Sequence, residues 1–153
     1  MGYGVIDVEG PAKIRYVECG TLTARASASR EDRLLEIGRG LRELLREMRP
    51  ASVALEEAFF GKNVQSTLAL GEARGVAILI AGEAGATIAG YPPAIVKKAV
   101  VGHGRASKEQ ISFLVRAILK MKRAPAADAA DALAIAICHA RTLPLAKRLG
   151  VRA

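Results

Sequence analysis

Cysteine is scarce in this sequence. Cys19 and Cys138 are the whole supply in 153 residues, and their separation matches no metal-ligand spacing. That argues against a disulfide framework and a cysteine-based zinc site, and both residues, set among apolar neighbours, read as reduced core thiols. Long apolar runs are missing as well. The run Val76 to Ala81 falls far short of the roughly 20 residues a bilayer span needs. Nothing resembles a signal peptide, an internal repeat, a low-complexity tract or an interdomain linker. The expectation is one cytoplasmic domain over residues 1–153, with a loose basic tail over 142–153. Acid is also in deficit: 15 Asp and Glu against 23 Lys and Arg leave a net charge of +8. Such a balance favours an anionic partner, nucleic acid ahead of an acidic membrane. Half of the residues are hydrophobic, enough for a normal core in a chain of this length.

The apolar pattern switches period along the chain. Residues 2–7 and 13–19 read as two strands joined by a turn at Glu9-Gly10-Pro11. A helix follows, capped by Ser29, with Leu34, Ile37, Leu41, Leu44 and Met48 recurring at three and four residues until Pro50 stops it. Its other face carries Arg30, Arg33, Arg39, Arg42 and Arg46 with acidic partners, the pattern of a solvated surface. Residues 52–56 form a short apolar strand, and 63–83 a helix rich in Ala, Gly and Leu whose small residues would let another backbone approach closely. A strand over 86–90 and a helix over 93–101 come next. Ser107 and Gln110 make a capping-box pattern for a helix reaching about Lys122, and the last helix covers 129–141. A β-hairpin followed by alternating helices and strands indicates an α/β domain with a mixed sheet.

Carboxylates carry the clearest chemical signal. Asp128 and Asp131 are three apart, so on a helix they share a face with Cβ atoms roughly 5–6 Å apart. Two such groups can grip a hard divalent cation; equally, Asp128 can cap the helix and Asp131 can face its positive end. Glu56 closes an apolar strand, where it is either a functional group or a strand-end residue meeting solvent or an arginine. Phe59, Phe60 and Lys62 follow on a loop, where an aromatic can stack on bases or plug the seam between sheet and helix. Lys97, Lys98 and the segment 102–108, Gly-His-Gly-Arg-Ala-Ser-Lys, form a basic stretch whose backbone amides and Lys108 suit phosphate oxygens. His103 reads as a turn residue rather than as a ligand or base.

Taken in order, several motifs resemble the RuvC-type crossover-junction endodeoxyribonucleases. They are Gly2-Tyr-Gly-Val-Ile6, Val53-Ala-Leu-Glu-Glu-Ala-Phe59 with Phe60, Lys62 and Asn63, and Leu70-Gly-Glu-Ala-Arg-Gly-Val76. Tyr91-Pro-Pro93 with Val96-Lys97, Val100-Val-Gly102 through Lys108, and Asp128-Ala-Ala-Asp-Ala-Leu-Ala-Ile-Ala136 complete the set. The resemblance runs from residue 2 to about 140. It implies an RNase H-like fold, a homodimer, and metal-dependent resolution of Holliday junctions by paired symmetric nicks. Through it, Glu56, Asp128 and Asp131 become catalytic residues and ligands of Mg²⁺, with two ions expected in the complete site. Phe59 becomes the aromatic that engages bases near the branch point, and Lys97 and Lys108 the contacts to the DNA backbone. Glu57, Lys62 and Arg74 receive no individual role. The RuvA/RuvB branch-migration complex is the accompanying partner that the resemblance suggests, and no membrane is expected.

One part of the family pattern is absent. The family opens with an apolar strand ending in a catalytic aspartate, the central strand of its sheet, and Met1 here stands at a position beyond it. Asp7 is no substitute, since it falls at the far end of the family's second strand. The expectation is that the natural protein begins upstream of Met1. The alternatives are a catalytically impaired junction-binding module and an RNase H-like nuclease with another substrate.

Overall fold

The structure is a computed structural model and describes residues 1–10, 13–57, 64–102 and 106–149. Four strands and five helices follow one another as β1 (Gly2–Gly10), β2 (Lys13–Thr21), α1 (Arg30–Met48), β3 (Ser52–Glu56), α2 (Val64–Glu83), β4 (Thr87–Tyr91), α3 (Pro93–Val101), α4 (Lys108–Ile118) and α5 (Ala127–Leu149). They divide into two compact units. One holds Met1 with Leu22–Gly90, the other Gly2–Thr21 with Tyr91–Ala153.

In the first unit, α1 begins where Ser29 Oγ accepts the Asp32 amide at 3.1 Å, which satisfies one of the unpaired amides of the opening turn. It ends at Arg49, whose positive φ of 45° precedes Pro50. Of the apolar stripe foreseen in α1, Leu41 is buried; together with Leu45, which that stripe left out, it packs against Ala77, Ile80 and Ala81 of α2, with the half-buried Leu44, Val53, Leu55 and Ile88 around them. At the surface, Arg30 reaches Glu72 at 2.7 Å and Arg42 reaches Glu83 at 3.3 Å, so α1 and α2 are also paired by charge. β3 pairs with β4. Thr87 N–H donates to the Ala51 carbonyl at 3.1 Å, so the two strands start side by side, as parallel strands joined by a crossover helix do.

In the second unit, β1 and β2 form an antiparallel hairpin with register shifts after Val5 and Val8. Both strands run longer than the alternation predicts. α5 packs on β1 and on α3 and α4, and Leu133, Ile137, Cys138 and Val115 are fully buried. Cys138 therefore matches its reading as a core thiol, and burial pushes it up from the ordinary thiol range; Cys19 is half-buried and also free.

The bounds of α4 and α5 also differ from the sequence reading. α4 stops at Ile118 rather than near Lys122, because Lys120 adopts a left-handed φ of 52°. Arg116 then donates to the carbonyls of Met121 and Lys122 in the turn that follows. α5 starts at Ala127 and continues to Leu149, into the stretch expected to be loose. Among the described residues each of the two sheets has two strands.

Candidate functional site

Asp128 and Asp131 lie in the opening turns of α5, both exposed. The Ala126 carbonyl accepts the Ala130 amide at 2.8 Å, so the helix starts ahead of Asp128. Asp128 is thus a residue of the first turn rather than the N-cap, and its carboxylate shares a solvent-facing side with that of Asp131. The partial positive charge of the helix start favours both.

β1 sets where that turn sits. A Cβ on Gly2 would overlap the Asp128 carbonyl, and one on Gly4 would stand 2.6 Å from Leu133 Cδ2. Glycines two apart face the same side of a strand, and here their bare face lets α5 rest on the backbone of β1. Such alternating glycines were the sequence signal available for this contact.

Glu56 ends β3 and is exposed, in the unit that does not contain Asp128 and Asp131. Arg74 Nε donates to its carbonyl at 3.1 Å. Lys97, half-buried on α3, and Lys108, exposed at the start of α4, share a unit with the two aspartates. Ser107 and Gln110 close the capping box foreseen ahead of Lys108, at 2.9 and 3.2 Å. Phe59, Phe60, Lys62 and His103 lie outside the described residues. Asp7 is paired with Arg15 across the hairpin at 2.8 Å, a surface ion pair on β1 and β2.

Carboxylate oxygens are the right donors for a hard divalent cation. Among the described residues, however, no three His, Cys, Asp or Glu side chains are grouped so that they could hold a metal ion. By chemistry, the carboxylates of Glu56, Asp128 and Asp131 suit such a cation.

The sequence reading missed a buried polar pair. Tyr91 Oη and His139 Nδ1 are 2.8 Å apart, their rings edge-to-face with centroids 5.7 Å apart, and His139 is 8% exposed. Burial pushes the imidazole below its ordinary range and the phenol above its own. The pair joins the end of β4 to the middle of α5.

Comparison with known proteins gives a consistent result. A family model described as crossover junction endodeoxyribonuclease RuvC matches residues 1–139. A relative of that name from Chloroflexus aggregans is 46% identical over 152 residues, covering 99% of this chain and 92% of its own length. Another from Halorhodospira halophila is 47% identical over 146 residues, 94% of this chain and 86% of the relative. Among solved structures, Thermus thermophilus RuvC in complex with a Holliday junction substrate superposes with a TM-score of 0.87 at 36% identity. That match covers 94% of this chain and 88% of the other.

Proposed function

Since the chain belongs to the RuvC family of crossover junction endodeoxyribonucleases, we propose that it resolves four-way DNA junctions by paired symmetric nicks, in recombination and repair. Its fold is the RNase H-like one, strands of mixed direction flanked by helices. The observation that carries the reading is the family match across both units, which also supports treating them as one nuclease domain. The relatives favour neither a silent junction-binding module nor a nuclease for another substrate.

In this reading Glu56, Asp128 and Asp131 are the catalytic carboxylates and metal ligands. The family is one of metal-dependent nucleases. Mg²⁺ is the cation we assign, as one of the hard cations that oxygen donors suit, with two ions in a complete site. Beside these carboxylates, further residues of the chain bind and orient the junction. Phe59 engages bases at the crossover. Lys97 and Lys108 take phosphate oxygens, Lys108 at a helix start whose amides and dipole add to its charge.

A homodimer is part of the same proposal. Val64, Leu68, Gly71, Gly75, Leu79 and Gly82 recur along α2 four, three, four, four and three residues apart, and all are exposed. They make an apolar stripe, opposite the core-facing Ala77, Ile80 and Ala81, on which a second helix could pack closely. Length and composition would also let α2 cross a bilayer. Its charged Glu72 and Arg74, both engaged with neighbouring elements, argue for a protein partner instead. The cytoplasm and the RuvA/RuvB complex complete the assignment, supported by relatives that are named for their action on DNA junctions.

The test is a gel assay on a synthetic four-way junction, with Mg²⁺ and with chelator. Symmetric nicks that vanish with chelator are expected. Asp128→Asn should abolish them and leave junction binding intact, and nicking by that variant at the parent rate would remove Asp128 from its role.

A further inference from the structure

α2 carries one guanidinium whose hydrogen-bond acceptor is the end of a strand. Arg74 Nε donates at 3.1 Å to the carbonyl of Glu56, the last residue of β3. Beyond that point the β3–β4 ladder no longer fixes the backbone. Arg74 reaches the peptide plane that follows, 18 residues away in sequence.

Gly90 on β4 leaves the room for this arrangement. A Cβ there would stand 3.0 Å from Glu57 Oε1, 3.1 Å from Glu57 Cγ and 3.5 Å from Arg74 Nη2. The Glu57 carboxyl and the Arg74 guanidinium thus both lie against the bare glycine. A planar guanidinium can hold a carbonyl through Nε while Nη2 faces another group, which a lysine ammonium on its flexible stem cannot do.

We infer that Arg74 is a positioning residue for Glu56. By holding the Glu56 carbonyl it fixes the Glu56–Glu57 peptide plane, and with it the direction in which the Glu56 carboxylate leaves the strand. The inference rests on the reading of Glu56 as a catalytic carboxylate and adds the group that aims it. Precise aim matters because a misplacement of about 1 Å in a catalytic constellation can cost on the order of a hundredfold in rate.

The experiment compares the full chain with Arg74→Met, Arg74→Lys and Glu56→Gln. It follows the Glu56 carbonyl-carbon and side-chain resonances by NMR, together with thermal stability, junction binding and nicking. For Arg74→Met the Glu56 carbonyl and side-chain resonances are expected to move. Junction affinity should stay at the parent level, while nicking falls by about tenfold or more. Arg74→Lys should restore stability more fully than nicking. Glu56 resonances that stay in place in Arg74→Met overturn the inference, whether or not the parent nicks. So does nicking that falls only in step with stability or with junction affinity. Parent-level nicking by Glu56→Gln would instead overturn the reading on which the inference rests.

Discussion

The Tyr91–His139 contact shows what burial does to a titratable residue. His139 has one ring nitrogen against the Tyr91 hydroxyl and almost no exposed surface. Its native pKa lies below the ordinary 6.5 because the charged imidazolium would lose its water. The sign follows directly. Between the lowered native value and 6.5, the unfolded chain binds a proton that the folded chain does not, so this residue's contribution to stability falls as pH drops from 6.5. Below the native value it is level. The melting temperature should therefore fall between pH 7 and pH 5, and fall less in His139→Leu; equal slopes in both proteins would show that His139 takes no part. Tyr91→Phe removes the hydroxyl that pairs with the buried His139 Nδ1 and should cost about 1–3 kcal/mol in urea unfolding at pH 7.

At the scale of elements, the position of Asp128 depends on a strand that contributes no carboxylate to it. α5 rests on β1 because Gly2 and Gly4 present no side chains to it. Gly4→Val would push against Leu133, a fully buried side chain. Overpacking of this kind costs about 1–3 kcal/mol, which in a chain of this size lowers the melting temperature by roughly 2–4 °C per kcal/mol. Nicking should fall further than stability explains, because the same displacement carries Asp128 with it. A variant that melts lower but nicks at the parent rate would separate α5 packing from the site. The start of α1 offers a simpler case. Ser29→Ala removes the acceptor of the Asp32 amide and should cost about 1 kcal/mol, readable by thermal unfolding.

For the whole molecule, the charge of +8 bears on how the junction is bound. Phosphate contacts release counterions, so affinity should fall steeply with salt, and Lys108→Ala should reduce the slope of log affinity against log salt by about 1. An unchanged slope would take Lys108 off the DNA. The apolar stripe on α2 makes a separate prediction. Leu79, 59% exposed, lies on that stripe. Leu79→Glu should shift sedimentation from dimer to monomer, since a carboxylate would be desolvated in a helix–helix seam; a dimer that persists in this variant would place the contact elsewhere.

Features written in local spacing could be read directly from the residues. The period of three and four in α1, the caps at Ser29 and Ser107, and the shared face of Asp128 and Asp131 each depend on residues a turn apart, and the structure has them where the pattern puts them. Family motifs added Glu56, Lys97, Lys108 and Phe59, which no periodicity singles out. The tertiary structure decided what depends on distant partners. Arg74 acquires its role 18 residues from Glu56, and Tyr91 finds His139 48 residues away. The left-handed turn at Lys120 ends α4 without the glycine that usually marks such a stop. α5 approaches β1 only because two glycines far upstream leave it room. Local pattern fixes which side of an element is apolar or charged; which backbone or side chain meets that side depends on packing between elements, and no stretch of sequence encodes that alone.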